Sequence, residues 1–277
     1  MRCSNTMDIH EIRKIIVEQV DASAFKITPH HLEKKIIETY GLDKRRAKAI
    51  LKDLVAQGEL EYTYEFGSTY IVPSFSKPVR ISAHVVIMPA GHQYLPADDD
   101  VIIRIQPGAA FGGGRHPTTR LSVRGIEFLL KEVHPAWLNR DCALLDIGTG
   151  SAVLAIASVC LGIRKAVGID IDPCAVAEAR ENVALNNYAK RINISDRKID
   201  AINRSFSTVV ANLRYPSLKK LYRQIIRLID PDGWAVLSGF RCHEKQDLMA
   251  FYTARYFQSI WTADQLGWSA VVLKKTN

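Results

Sequence analysis

Apolar residues at positions 9, 12, 16 and 20 recur at the spacing of one helix face, which predicts a helix over 8–20. Thr28 followed by Pro29 reads as an N-cap with proline in the first helical position, so a second helix runs to about Tyr40, where Gly41 stops it. Asp43 can cap a third helix, with Ala47, Ile50, Leu51, Leu54 and Val55 turned inward. After Gly58 the pattern changes to two short runs rich in Tyr and Thr, 60–64 and 69–72, hinged at Gly67-Ser68.

Three helices followed by a hairpin resemble a winged-helix module, to which residues 1–76 are assigned. Two prolines and two serines between Pro73 and Pro78 end its periodicity. Runs 79–88 and 101–105 read as strands around a loop holding Asp98, Asp99 and Asp100, so 77–114 is expected to be a linker and strand pair leading into the main domain. From 115 to 277, strand-like runs at 143–147, 166–169, 192–195, 208–211, 235–238, 257–261 and 270–273 are mostly separated by helical ones. That alternation implies an α/β, Rossmann-like domain, with seven strands in a mainly parallel sheet and helices on both faces. Ligands of such sheets bind beyond the carboxyl ends of the strands, and any motif should lie there.

Composition refines this picture only a little. Hydrophobic residues at 47% and charged residues at 24% are an ordinary globular balance. The most apolar helical run, 152–163, falls short of the roughly 18 residues of a membrane span, so no membrane association is expected. The first residues carry no apolar run after Arg2, unlike a secretory signal. Cys3, Cys142, Cys160, Cys174 and Cys242 are scattered, without a Cys-x-x-Cys pair or a Cys/His cluster; reduced thiols, no metal site and a cytoplasmic location are the expectation. The net charge of +8 lies wholly in 77–277, which holds 26 Lys/Arg against 18 Asp/Glu. Within the neutral first module, Lys44, Arg45, Arg46, Lys48 and Lys52 line the third helix. Nucleic-acid contact through 44–52 is one reading, and a solvated face of a docking or dimerisation unit is the other.

The strongest local motif is Leu144-Leu145-Asp146-Ile147-Gly148-Thr149-Gly150-Ser151-Ala152, a buried strand ending in a glycine turn that enters an apolar helix. Gly148 and Gly150 let backbone pass close to a ligand. A dinucleotide site would want a third glycine where Val153 stands, and a phosphate loop would want Lys-Ser/Thr, so a nucleoside-type turn suited to S-adenosylmethionine remains. In Val167-Gly168-Ile169-Asp170-Ile171-Asp172-Pro173, the acid ending the second strand is placed to accept both ribose hydroxyls. Asp172 has a duller role as the cap of the next helix, with Pro173 behind it. Upstream, residues 106–120 hold three consecutive glycines (112–114), His116, Thr118 and Thr119 in a loop entering a helix, which by itself reads as a hinge.

Taken in order, these stretches resemble the PrmA family, bacterial class I methyltransferases that modify lysine and N-terminal amines of a ribosomal stalk-base protein. The resemblance covers about 79–273 and rests on 105–112 and 116–120, on 146–156, on 168–173 with Glu181-Asn182, and on Val209-Val210-Ala211-Asn212-Leu213. It implies that Phe111, Thr118 and Thr119 line the methionine end of the cofactor, that Asp146, Gly148 and Gly150 border it, and that Asp170 holds the ribose. The family's adenine-contacting acid maps best to Asp200 and second to Asp196. The chain departs from the family at Gly113, usually threonine, at Ala152, usually glycine, and in its N-terminal module, where the family has a small α/β domain.

Acceptor chemistry is expected at the end of the fourth strand. An amine methyltransferase must align a neutral nitrogen lone pair with the methyl group, and Asn212 can accept amine hydrogens and aim that lone pair. Tyr215 is similar in spacing to the Asn-x-x-Tyr of amino-directed methyltransferases, and ring packing under the loop explains it equally well. Arg214 is either a solvent-pointing side chain or a cation at the acceptor, and His116 either a proton acceptor or a structural cap. The leading expectation is N-methyl transfer to a protein amine, possibly on a ribosomal protein. Methylation of nucleic acid or a small molecule, and a cofactor-sensing DNA-binding regulator without catalysis, are the alternatives.

Overall fold

In a computed structural model, residues 8–276 are described apart from 22, 24–26, 66, 75, 107, 109–115 and 134–141. The N-terminal elements follow from local capping. Helix α1 (Ile9–Asp21) turns Ile12, Ile16 and Val20 inward. Helix α2 (Pro29–Tyr40) starts where Thr28 Oγ1 accepts from His31 N and ends at Gly41, at φ +64°, whose amide donates to Ile37 O. Helix α3 (Lys44–Ala56) starts at Asp43, which accepts from Arg46 N at 2.8 Å. Strands β1 (Leu60–Glu65) and β2 (Ser68–Pro73) form an antiparallel hairpin, and Leu60 and Ile71 close one core with the three helices.

The chain divides into two units, Met1–Lys77 and Pro78–Asn277. Lys77 closes the first unit and Pro78 opens the second, so residues 78–114 belong to the second unit. Their described part forms a three-stranded sheet within the second unit: β3 (Val79–Arg80), β4 (Val85–Pro89) and β5 (Val101–Ile105). The 79–88 run breaks in two because the buried Glu127 holds a turn there, accepting from Ser82 Oγ, Ala83 N and His84 N. Helix α4 (Pro117–Glu127) carries that carboxylate and leads into a π-helical turn, Phe128–Val133.

The main sheet consists of β6 (Ala143–Ile147), β7 (Lys165–Ile169), β8 (Ile192–Ser195), β9 (Phe206–Asn212), β10 (Ile229–Arg241), β11 (Phe257–Gln265) and β12 (Trp268–Lys275). Its order is β11-β12-β10-β9-β6-β7-β8, parallel except along both edges of β12. Every strand of the expected set is present, and most extend further than the apolar run that signalled them. Leu145, Ile147, Val209, Ala211, Leu237 and Val271 face α7 (Tyr215–Lys220), α8 (Tyr222–Leu228) and α9 (Lys245–Thr253) in one core. On the other face Gly125 of α4 lies against Val236 and Val272, where a Cβ would approach their methyl carbons to 3.0 and 3.2 Å. Burial on both faces explains why the parallel strands read as continuous apolar runs.

Helices α5 (Val153–Cys160) and α6 (Pro173–Leu185) connect β6 to β7 and β7 to β8. Asn182 of α6, 1% exposed, accepts from Gln106 N and donates to Ser151 O, so one carboxamide ties the glycine loop to the turn after β6. Chain order reverses between β6 and β9, which opens a crevice at their carboxyl ends.

Candidate active site

A cavity of about 860 Å³ occupies that crevice, inside the roughly 300–1,000 Å³ range of small-molecule sites. The turn after β6 forms one wall. Gly148 N and Thr149 N donate to Ile169 O at 2.9 and 3.0 Å, and Gly150 N donates to Asp170 Oδ2 at 2.9 Å. Asp170 Oδ1 accepts from Asp172 N at 3.1 Å, so two backbone amides fix the half-buried carboxylate at the rim. Gly148 and Gly150 hold φ of +71° and +53°, and a Cβ on Gly148 would come within 2.6 Å of Leu213 Cδ2.

Ala152 shares this left-handed conformation, at φ +64°, and is fully buried. A left-handed alanine is strained by about 1 kcal/mol or more. Ala152→Gly is therefore expected to stabilise the protein by about 1 kcal/mol, against the usual direction for glycine at a helix start, as read by urea denaturation. A loss of stability would show that the alanine methyl packs better than its backbone is strained.

Asp146 is fully buried beneath the turn and accepts from Thr149 Oγ1 at 2.7 Å. Burial pushes its carboxyl up to about 7, and the charge of Asp170 adds to the rise. Between its ordinary value near 4 and about 7, the folded chain holds a proton that the unfolded chain has released, so stability falls as pH rises through that window. The lost stability is on the order of 4 kcal/mol for a shift of this size. Thermal melts of the ligand-free protein from pH 5 to 8 are expected to show this decline, and Asp146→Asn to flatten it. Parallel curves for the two proteins would show that the carboxyl titrates normally.

The opposite wall is built by β9, β10 and the start of α4. Asn212 ends β9 and lines the cavity. The next residue, Leu213, donates its amide to Ser238 O at 3.0 Å. Gly239, at φ +93° in a bulge of β10, lies so close that an added Cβ would meet Leu213 O at 2.4 Å. Thr118 also lines the cavity, and His116 caps α4, its Nδ1 accepting from Thr118 N at 3.3 Å and lying 2.8 Å from Thr118 Oγ1. Burial, helped by the charge of Arg241, pushes His116 down to about 4, so its ring is neutral near pH 7. Trp268 meets the His116 ring edge-on at 5.0 Å, and Arg241 covers Trp268 at 3.6 Å.

Among the expected site residues, Thr118, Gly148, Gly150, Asp170 and Asn212 share the cavity wall. Asp146 underlies it, and Phe111 and Gly113 lie outside the described residues. Three of the expected residues stand outside the cavity lining. Thr119 is fully buried and does not line the cavity, and its Oγ1 has no partner among the described residues. Asp200 is exposed on a short 3-10 turn and accepts from Gln224 Nε2 at 3.3 Å, outside the lining; its neighbours Arg197 and Ile199 line the cavity instead. Tyr215 is the first residue of α7, and that start directs its hydroxyl to Asp247 and to Lys219 Nζ, away from the lining. Arg214 and Ser217 of the same segment line the cavity. Sequence reasoning also missed Ile171, 89% exposed at the rim although apolar, and Trp268. The signal for Ile171 was available: it is an isoleucine between two acids in the turn that follows a strand.

The family model for ribosomal protein L11 methyltransferase (PrmA) matches residues 72–276. The chain belongs to that family. A ribosomal protein L11 methyltransferase of Geobacter sp. (strain M21) is 35% identical over 199 residues, 72% of this chain and 64% of the relative. The one from Brevibacillus brevis is 30% identical over 260 residues, 92% of this chain and 78% of the relative. A crystal structure of a ribosomal protein L11 methylase from Lactobacillus delbrueckii subsp. bulgaricus superposes with a TM-score of 0.64 at 28% identity, covering 73% of this chain and all of that one. The chain thus spans less than two thirds of the length of the Geobacter relative. No helix among the described residues is long and apolar enough to cross a membrane.

Proposed function

We propose that the chain is an S-adenosylmethionine-dependent N-methyltransferase that acts on an amine of a ribosomal protein, the substrate class named for its relatives. The observation that carries this reading is the direct bond from Gly150 N to Asp170, which joins the glycine turn to a rim carboxylate of the cavity that Asn212 also lines. When bound there, the cofactor supplies an electrophilic methyl group on its sulfonium. Asp170 spends one acceptor site per oxygen on backbone amides and keeps capacity for two hydroxyl donors. Ile171 and Ile199 offer apolar faces to an adenine ring, which covers the exposed Ile171. Asn212 accepts an amine hydrogen and turns the nitrogen lone pair toward the methyl group, and positioning of this kind supplies most of the rate. Arg214 disfavours the charged ammonium and so favours the neutral, nucleophilic amine.

Transfer of labelled methyl from S-adenosylmethionine to the purified ribosomal protein tests the reading, with ribosomal RNA and small amines as comparison acceptors. Label in RNA alone would favour a nucleic-acid methyltransferase, and cofactor binding without transfer would favour a sensor. Asn212→Ala is expected to lower turnover about 100-fold with less than a threefold change in cofactor affinity, the pattern of a group that aims the acceptor. Equal losses in both would make Asn212 structural.

We also propose that residues 44–52 contact nucleic acid. Lys44, Lys48 and Lys52 stand at i, i+4 and i+8 on α3 with Arg45 beside them, all exposed, whereas Arg46 pairs with Asp43. Lys44→Gln with Lys48→Gln should reduce the salt slope of duplex binding by about 2, and an unchanged slope would leave this face merely solvated.

A further inference from the structure

A second cavity, of about 660 Å³, lies at the β8 edge of the main sheet, between that strand and the segment leading into β9. Ile169, Ile194 and Phe206 line it together with Asn193, Ser195 and Asn203. Arg180, Arg197 and Arg204 border it, and no carboxylate is among the residues that line it. Two of these guanidinium groups are held by the fold. Arg180 donates from Nε and Nη2 to Ile194 O at 3.3 and 3.1 Å, and Arg204 lies over the Phe206 ring at 4.7 Å.

A guanidinium carries five N–H donors in a rigid fork, so Arg180 keeps donors after serving Ile194. Three cations gathered round one space with no acid among them repel one another, and an anion placed there relieves that repulsion. A carboxylate presents two oxygens to one fork, whereas a phosphate spreads its charge over oxygens that several forks can share. The wall carboxamides and hydroxyl add partners for ribose hydroxyls. Because the whole positive excess of the chain lies in 77–277, the setting favours a polyanion over a single ion.

We infer that this cavity binds the phosphate groups of an RNA strand. Arg197 also lines the candidate active site, so the RNA would pass next to the cofactor's adenosyl end. A free nucleotide presents the same phosphate and ribose, and the two sources separate by affinity. This site stands independently of the methyl-transfer reading.

The test uses the full chain carrying Arg180→Gln and Arg204→Gln, neither of which lines the cofactor cavity. Binding of a short single-stranded oligoribonucleotide is followed by fluorescence anisotropy across a salt series, with adenosine monophosphate, inorganic phosphate and a polyglutamate peptide as competitors. The expected result is at least a tenfold loss of RNA affinity in the double variant and a salt slope smaller by about 1.5, with cofactor affinity and melting temperature unchanged. The exposed Arg204→Gln alone should show a smaller loss of the same kind, which keeps the test valid if the double variant folds poorly. RNA binding no tighter than that of adenosine monophosphate, with both lost together, would overturn RNA as the ligand and leave a nucleotide site. Identical RNA and phosphate binding by wild type and variants, or polyglutamate competing as well as RNA, would overturn the phosphate site altogether.

Discussion

Gly239→Ala is expected to cost about 3–5 kcal/mol of stability and to remove methyl transfer even at temperatures where the variant is folded. The added Cβ would stand 2.4 Å from Leu213 O, 2.7 Å from its carbonyl carbon and 2.8 Å from its nitrogen. All three are backbone atoms, so no side-chain rotation relieves the contact, and φ +93° is itself unfavourable for alanine. Relief requires the strand end that carries Asn212 to move away from β10, which takes with it the carboxamide proposed to aim the acceptor. Urea denaturation together with a methyl-transfer assay reads both consequences. A variant with wild-type midpoint and turnover would show that the bulge and the Asn212 segment yield easily.

Asp170→Ala is expected to weaken S-adenosylmethionine binding on the order of 100-fold or more, from two charge-assisted hydrogen bonds of about 1.5–3 kcal/mol each. The loss of stability should be small, because the carboxylate is half-buried and the amides of Gly150 and Asp172 can turn to water at the cavity rim. Calorimetry of cofactor binding with a thermal melt of the ligand-free variant separates the two effects. An unchanged dissociation constant in a folded variant would remove Asp170 from the cofactor site, and with it the leading argument for an adenosyl ligand.

The predictions differ in how much of their basis could be read without the fold. The expectation for Asp170 comes from its place at the end of a strand that follows a glycine turn, and the fold sets that carboxylate at the cavity rim. That Gly239 is critical does not follow from the sequence around it, because the atoms it must avoid belong to Leu213, 26 positions away. The orientation of Tyr215 was illegible for a related reason. The Asn-x-x-Tyr spacing is the same whether the tyrosine lies in a loop or opens a helix, and Asp247 on α9 is what draws its hydroxyl aside.

What the sequence determined alone are the features governed by torsions and caps within a few residues. Thr28-Pro29, Asp43 and Asp172-Pro173 start helices, Gly148 and Gly150 form the turn, and the apolar runs mark the strands. Each works by contacts inside its own segment, so each can be read locally. Only the tertiary structure decided where side chains point and which distant ones meet. It drew His116, Trp268 and Arg241 into one stack, paired Asp200 with Gln224 and joined the strands at 79–80, 85–89 and 101–105 into one sheet. Those outcomes depend on packing between elements far apart in the chain, and the spacing of residues within one element carries no record of it.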